Sequence, residues 1–244
     1  MFLLNDMCQG IKLLSDLCKN LTIIFILNSK RMKTLTKEIQ DAITPSMALQ
    51  ILQDGNKRFV SNLKTNRNLL QQVNETSDGQ HPFAVVLSCI DSRTSAELIF
   101  DQGLGDIFSV RIAGNIVNED ILGSMEFACK LAGSKIIVVL GHSKCGAVKG
   151  ACDHAEMGNL TALLAKIKPS VDDEVETKDN RTSKNSDFVE NVAAINVKRS
   201  IKAIMEKSAI LEQMIKNREI GIIGGMHDLS TGKVSFYSET AFIS

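Results

Sequence analysis

Two short segments carry the residues best suited to chemistry. Cys89-Ile90-Asp91-Ser92-Arg93 places a thiol, a carboxylate and a guanidinium within five positions. Gly141-His142-Ser143-Lys144-Cys145-Gly146 places an imidazole and a second thiol three positions apart. Thiolate sulfur and imidazole nitrogen are ligands that zinc takes. Three such ligands, Cys89, His142 and Cys145, leave a fourth coordination position open for water. That is the catalytic pattern of zinc, since a structural site closes with a fourth protein ligand. Taken singly, each of the three reads as packing or surface. Their coincidence in two motifs is what suggests a site, and Asp91 and Arg93 stand close enough in sequence to pair beside it.

The elements around the motifs decide whether they can meet. Phe83–Ser88 and Lys135–Gly141 are continuous apolar runs, as expected of strands buried on both faces. Between them the pattern predicts a helical stretch over Ser95–Asp101, a short strand over Asp106–Val110 and a helix over Ile121–Ala132. Such alternation predicts an α/β fold with a central, mainly parallel sheet flanked by helices. Both motifs then lie at the carboxyl ends of strands, the edge where sites form in open α/β sheets. Upstream, Thr44 and Pro45 read as an N-cap and first helical residue. Met47, Leu49, Ile51, Leu52, Phe59 and Leu63 continue an amphipathic helix that Gly55 interrupts. With a second helix over Asn68–Thr76, this makes an N-terminal helical arm of about 44–77. Downstream, Val171–Ser186 reads as a surface loop and Asp187–Asn217 as one long helix. Ile220–Gly225 and Val234–Tyr237 read as a C-terminal hairpin, which completes a core of about 82–244. His154 and His227 read as surface residues.

Bulk properties narrow the class. The 244 residues carry 28 Lys plus Arg against 28 Asp plus Glu, so nothing favours nucleic acid or an anionic membrane as partner. Six irregularly spaced cysteines in a chain of this length argue against a disulfide framework and for a reducing, cytoplasmic setting. Cys129, inside an apolar run, reads as a small hydrophobe. Leu21–Leu27 is too short to span a bilayer, and no cleavage site follows it. Residues 1–31 are therefore read as a dispensable extension, with a weak membrane or targeting anchor as the rival reading, and 32–244 as one domain. Gly103-Leu104-Gly105 lacks the third glycine of a dinucleotide site. Gly141–Gly146 departs from a nucleophile elbow because position 145 is Cys.

C-x-D-S-R followed some fifty residues later by G-H-S-x-C-G resembles the signature of the β-class carbonic anhydrases. The resemblance runs from about Thr44 to the C-terminus. It implies reversible hydration of carbon dioxide to bicarbonate and a proton by zinc-bound hydroxide, with one Zn²⁺ per chain on Cys89, His142 and Cys145. It implies a catalytic dyad of Asp91 and Arg93. Gln80, nine positions before Cys89, and Phe108, nineteen after it, match substrate-site positions of plant-type members. Val86 and Phe127 are further candidate walls of the carbon dioxide pocket. Phe127 departs from that subtype's tyrosine. The bacterial, bicarbonate-regulated subtype has tryptophan where Val86 stands, so the plant-like, unregulated subtype is expected. The family also implies a homodimer or homotetramer, with the arm helix laid over a neighbour. The proton could leave through Asp91, His81, His227 or buffer. Two other functions stay open: hydrolysis of CS₂ or COS on the same scaffold, and a non-catalytic zinc or thiol-redox protein.

Overall fold

The molecule is a computed structural model that describes residues 34–243. The readings of residues 1–31 and of Leu21–Leu27 lie outside the described residues.

The two apolar runs form β1 (Ala84–Ser88) and β3 (Ile136–His142), buried at every position. With β2 (Ile107–Arg111), β4 (Gly221–His227) and β5 (Val234–Phe242) they make one sheet of order β2-β1-β3-β4-β5. The first four strands are parallel, and β5 closes the edge antiparallel to β4. The chain leaves β1 for β2 on one side, then returns to β3 on the other side of β1. Strand order therefore reverses between β1 and β3, which opens a crevice beyond their carboxyl ends. Cys89 follows β1 directly, and His142 is the last residue of β3.

Helices cover both faces. Val85 and Leu87 pack with Met125, Ile204 and Leu211, which belong to α5 (Glu119–Glu126), α9 (Ser186–Lys207) and α10 (Ala209–Lys216). Ala84 and Val86 point the other way, onto Met47, Leu52 and Phe100. Two of these, Met47 and Leu52, come from the arm. Before it, α1 (Lys37–Ala42), capped by Thr36, was not anticipated from the sequence. Next, α2 (Pro45–Val60) starts as expected, with Thr44 Oγ1 accepting from the Met47 N–H at 3.2 Å. Its apolar face covers this chain's own sheet, with Met47, Ala48 and Leu52 buried. The third arm helix is α3 (Leu69–Glu75). Buried Asp101, just after α4 (Ala96–Ile99), ties the arm down by accepting from Arg58, Arg67 and Thr65.

Gly55 does not interrupt α2. A Cβ there would lie 1.7 Å from the Phe100 carbonyl oxygen, so glycine is what lets α2 approach the chain after α4. Gly55→Ala is expected to destabilise the protein by about 2–3 kcal/mol, because a backbone clash outweighs the gain in helix propensity. Urea unfolding checks this, and an unchanged or raised midpoint would contradict it.

Three other elements differ from expectation. The long helix over Asp187–Asn217 breaks at Ser208, whose hydroxyl accepts from the Leu211 N–H and caps α10. The helix over Ile121–Ala132 is α5 followed by a π-type turn at Phe127–Leu131. The polar stretch from Val171 begins inside a short helix, α8 (Lys168–Asp173), and then runs as a loop. Before α8 come α6 (Gly146–Cys152) and α7 (Gly158–Leu164). Among the described residues no helix is long and apolar enough to cross a membrane.

Candidate metal centre

The crevice gathers the three expected ligands. Ligand atoms of Cys89, His142 and Cys145 all lie within 4.8 Å of one another, and all three residues are buried. Parallel pairing brings β1 and β3 side by side, so Cys89 and His142 emerge together at one edge. The chain then turns through Ser143 and Lys144 into α6, with Cys145 as its N-terminal flanking residue. Lys144 sits in the left-handed region at φ 58°, and Glu190 accepts its N–H at 2.7 Å. The Ser143 N–H donates to the His227 carbonyl at 3.0 Å, and Ser143 Oγ accepts from the Leu229 N–H at 2.9 Å. The turn is therefore fixed from β4 and α9 before any ligand arrives.

The donor set fits zinc. His142 Nδ1 lies 2.9 Å from the Ser143 carbonyl oxygen, which can only accept, so the proton belongs on Nδ1. That leaves Nε2 as a lone-pair donor, buried and without a hydrogen-bond partner. A buried nitrogen in that state is costly unless something binds it. The sulfurs of Cys89 and Cys145 lie 4.0 Å apart. The hydrogen bond from Cys145 holds the Cys89 thiol down at about 4, against the pull of burial. Its proton stays with Cys145, whose thiol is pushed above the ordinary range by that bond and by burial. The Gly114 N–H donates to Cys89 Sγ at 3.4 Å. Metal binding at this pair requires thiolate sulfur, so an incoming cation would displace the thiol protons that remain.

Asp91 and Arg93 stand beside this cluster as a bidentate pair. Arg93 Nε donates to Oδ1 at 2.9 Å and Nη2 to Oδ2 at 2.7 Å, while the Arg93 N–H donates to Oδ1 at 3.0 Å. The guanidinium holds the Asp91 carboxyl well below the usual carboxylate range. Arg93 keeps 56% of its side chain exposed and Asp91 16%, so the pair sits at the mouth of the site.

Other expected residues lie elsewhere. Gln80 and His81 precede β1 at the opposite edge of the sheet, next to Pro82, whose carbonyl accepts from Gln40 and Ser134. A five-residue strand, roughly 16 Å long, separates that edge from Cys89. Neither residue reaches the metal ligands of its own chain. Val86 is fully buried under α2, on the sheet face away from Phe108, so as a pocket wall it is misplaced. Phe108 and Phe127 do meet, edge to face with ring centroids 6.1 Å apart. They line an open depression with Arg111, and none of the three metal ligands lies in its wall.

His227 is the residue most misjudged from sequence. It is 3% exposed, not a surface group, and pairs in register with His142 at the end of β4. Both its ring nitrogens lack hydrogen-bond partners, and burial pushes its imidazole below the ordinary pKa. A histidine closing a Gly-rich apolar run was the available signal.

Known proteins are similar to this chain in sequence and in fold. A family model described as carbonic anhydrase matches residues 84–234, a span that contains both motifs. Carbonic anhydrase 2 of Mycobacterium tuberculosis is 33% identical over 197 residues, covering 78% of this chain and 91% of its own. The β-carbonic anhydrase CafA of Aspergillus fumigatus is similar in structure, with a TM-score of 0.61 at 26% identity, covering 79% of this chain and 90% of its own. One of two β-carbonic anhydrases from Sordaria macrospora, described as tetrameric, gives 0.58 at 25% identity over 66% of this chain and 83% of its own. Sequence, sheet topology and the Cys-His-Cys cluster agree: the chain belongs to the β-class carbonic anhydrases.

Proposed function

We propose that this chain catalyses the reversible hydration of carbon dioxide to bicarbonate and a proton, with one zinc ion held by Cys89, His142 and Cys145. The observation that carries the proposal is the buried convergence of these three ligands beside a carboxylate held by arginine. Zinc bound there lowers the pKa of a coordinated water from ~15.7 towards neutrality and so supplies hydroxide at neutral pH.

The chain's own groups do the rest. Asp91, kept ionised by Arg93, is an acceptor only. It takes a hydrogen bond from the nucleophile and turns a lone pair towards the substrate carbon. Arg93 occupies both carboxylate oxygens from the solvent side, which keeps Asp91 an orienting group and out of the ligand set. His142 keeps its tautomer through Ser143, so Nε2 is the atom that would hold the metal.

The test is a stopped-flow assay of carbon dioxide hydration on purified protein. Activity well above the uncatalysed rate, lost on chelation and restored by zinc, is expected. A zinc-loaded protein that only matches the uncatalysed rate would overturn the proposal.

A homo-oligomer, dimer or tetramer, is part of this reading. Leu69, Leu70 and Val73 of α3 are exposed, as are Phe127 and Leu131 of the π-type turn. Gln80 can serve only a site in another copy. Sedimentation of the purified protein reads the state directly. The irregular cysteines support a cytoplasmic setting, and the absence of tryptophan supports the unregulated subtype. Both motifs and all the strands lie after Met32, so a chain beginning there is expected to fold and keep its hydration rate. Insoluble or inactive protein would reverse the reading of residues 1–31 as dispensable.

A further inference from the structure

Arg111 ends β2 and pairs in register with Ser88, the residue before Cys89. Its backbone therefore lies beside the start of the ligand-bearing loop, and its side chain crosses the carboxyl edge of β1. Nε donates to the Cys89 carbonyl at 3.0 Å, and Nη2 donates to the Asp91 carbonyl at 2.6 Å. Among the described residues Arg111 has no acidic partner. An exposed arginine without an acid would ordinarily keep its rotamer freedom in water, and this one spends it on two main-chain oxygens.

Those two oxygens belong to the metal ligand and to the dyad carboxylate residue. Thr94 reaches both as well, its Oγ1 lying 3.2 Å from the Cys89 carbonyl and 2.9 Å from that of Asp91. A hydroxyl has one proton, so Thr94 cannot give each carbonyl a full hydrogen bond. A guanidinium has separate N–H donors at fixed spacing along one edge, so Arg111 can. It is the one side chain among the described residues that gives each of these carbonyls its own donor. The Cys89–Ile90 and Asp91–Ser92 peptide planes are thereby tied to each other. The segment after Arg111 adds a third hold, the Gly114 N–H on the Cys89 sulfur.

We propose that Arg111 is a positioning residue of this enzyme: by joining the carbonyls of Cys89 and Asp91 it sets the offset between the metal ligand and the carboxylate that orients the nucleophile. The proposal rests on the orienting role of Asp91 given above. Misplacement by about 1 Å at a reacting centre can cost a hundredfold in rate, so a loop held less tightly should be slow rather than empty.

The experiment compares Arg111→Ala, Arg111→Lys, Asp91→Asn and the double variant Asp91→Asn/Arg111→Ala, each saturated with zinc. Arg111→Ala should bind about one zinc per chain and lose roughly 10- to 100-fold in kcat, with KM changed far less. Arg111→Lys should fall between, because an ammonium lacks the fork that bridges two carbonyls, and it carries the test if the alanine variant does not fold. Millimolar guanidinium should restore part of the Arg111→Ala rate. The double variant should be no slower than Asp91→Asn alone, since Arg111 acts through Asp91. Independently of turnover, the visible spectrum of cobalt-substituted Arg111→Ala should differ from that of the wild type, because the Cys89 loop has moved. Wild-type kcat in Arg111→Ala would overturn the proposal. So would losses that multiply in the double variant. If Asp91→Asn itself turns over at the wild-type rate, the role of Asp91 fails, and the cobalt spectrum alone decides whether Arg111 holds the loop.

Discussion

Arg93→Ala should lose about two orders of magnitude or more in carbon dioxide hydration while keeping close to one zinc per chain. Arg93 contributes three donors to one carboxylate and none to a metal ligand. Its loss leaves the three ligands intact. What changes is Asp91, which is then free to rotate into the open coordination position or to present the wrong oxygen to the nucleophile. Either outcome removes orientation, and general acid–base or orienting groups contribute typically ~10²–10⁴-fold. Folding should survive, because the guanidinium is 56% exposed and an exposed pair gains little net stability in water. Asp91 also stays ionised throughout the working range, since its carboxyl sits far below the ordinary value. The wild-type rate should therefore rise with pH through neutrality for reasons of the metal's water, not of Asp91. Parallel zinc analysis and stopped-flow assays at pH 7–8 check this. A folded, zinc-bound Arg93→Ala with wild-type turnover would remove the dyad from the mechanism.

His142→Ala should have the other large effect, loss of both metal and activity. The variant keeps two sulfurs and loses the nitrogen whose tautomer Ser143 presets. Even losing a group that hydrogen-bonds to a zinc ligand costs ~10–100-fold in affinity, and removing the ligand outright costs more. Zinc content after dialysis against a weak chelator should fall to a small fraction of one per chain, with hydration near the uncatalysed rate. Cys145→Ser should behave similarly, because a neutral hydroxyl is a poor substitute for thiolate. Full retention of zinc in either variant would take that residue out of the site.

The contrast between these variants follows from which parts of the site local sequence can specify. The ligands were legible because each ends or directly follows an apolar run that could only be a buried strand, and strand ends are where parallel sheets build sites. The Asp91–Arg93 pair was legible for a similar reason, since Asp91 stands two positions from Cys89 and Arg93 two positions from Asp91. Groups that act across the fold were not. Arg111 lies just past the strand expected over Asp106–Val110, and its carbonyl partners lie in the segment after β1. His227 reads as part of a turn, and only the pairing of β4 with β3 buries it beside His142. Gln80 was matched by counting from Cys89, yet a strand intervenes and carries it to the far edge. Val86, a candidate wall of the pocket, lies on the sheet face away from Phe108 because side chains alternate along a strand. Gly55 looked like a helix break because propensity is local, whereas the Phe100 carbonyl that requires glycine comes from 45 positions away (100 − 55 = 45). Ser208 is the reverse case, a local N-cap that outweighed an apolar periodicity running through it.

X-ray absorption at the zinc edge on the purified wild-type protein tests the central claim most directly, because it reads the metal's neighbours without an activity assay. Cys89, His142 and Cys145 predict about one zinc per chain with two sulfur neighbours, one imidazole nitrogen and one further light atom, and the sulfur count should fall to one in Cys145→Ser loaded with excess zinc. Four sulfur neighbours, no imidazole contribution or a protein that holds no zinc would contradict the site described here.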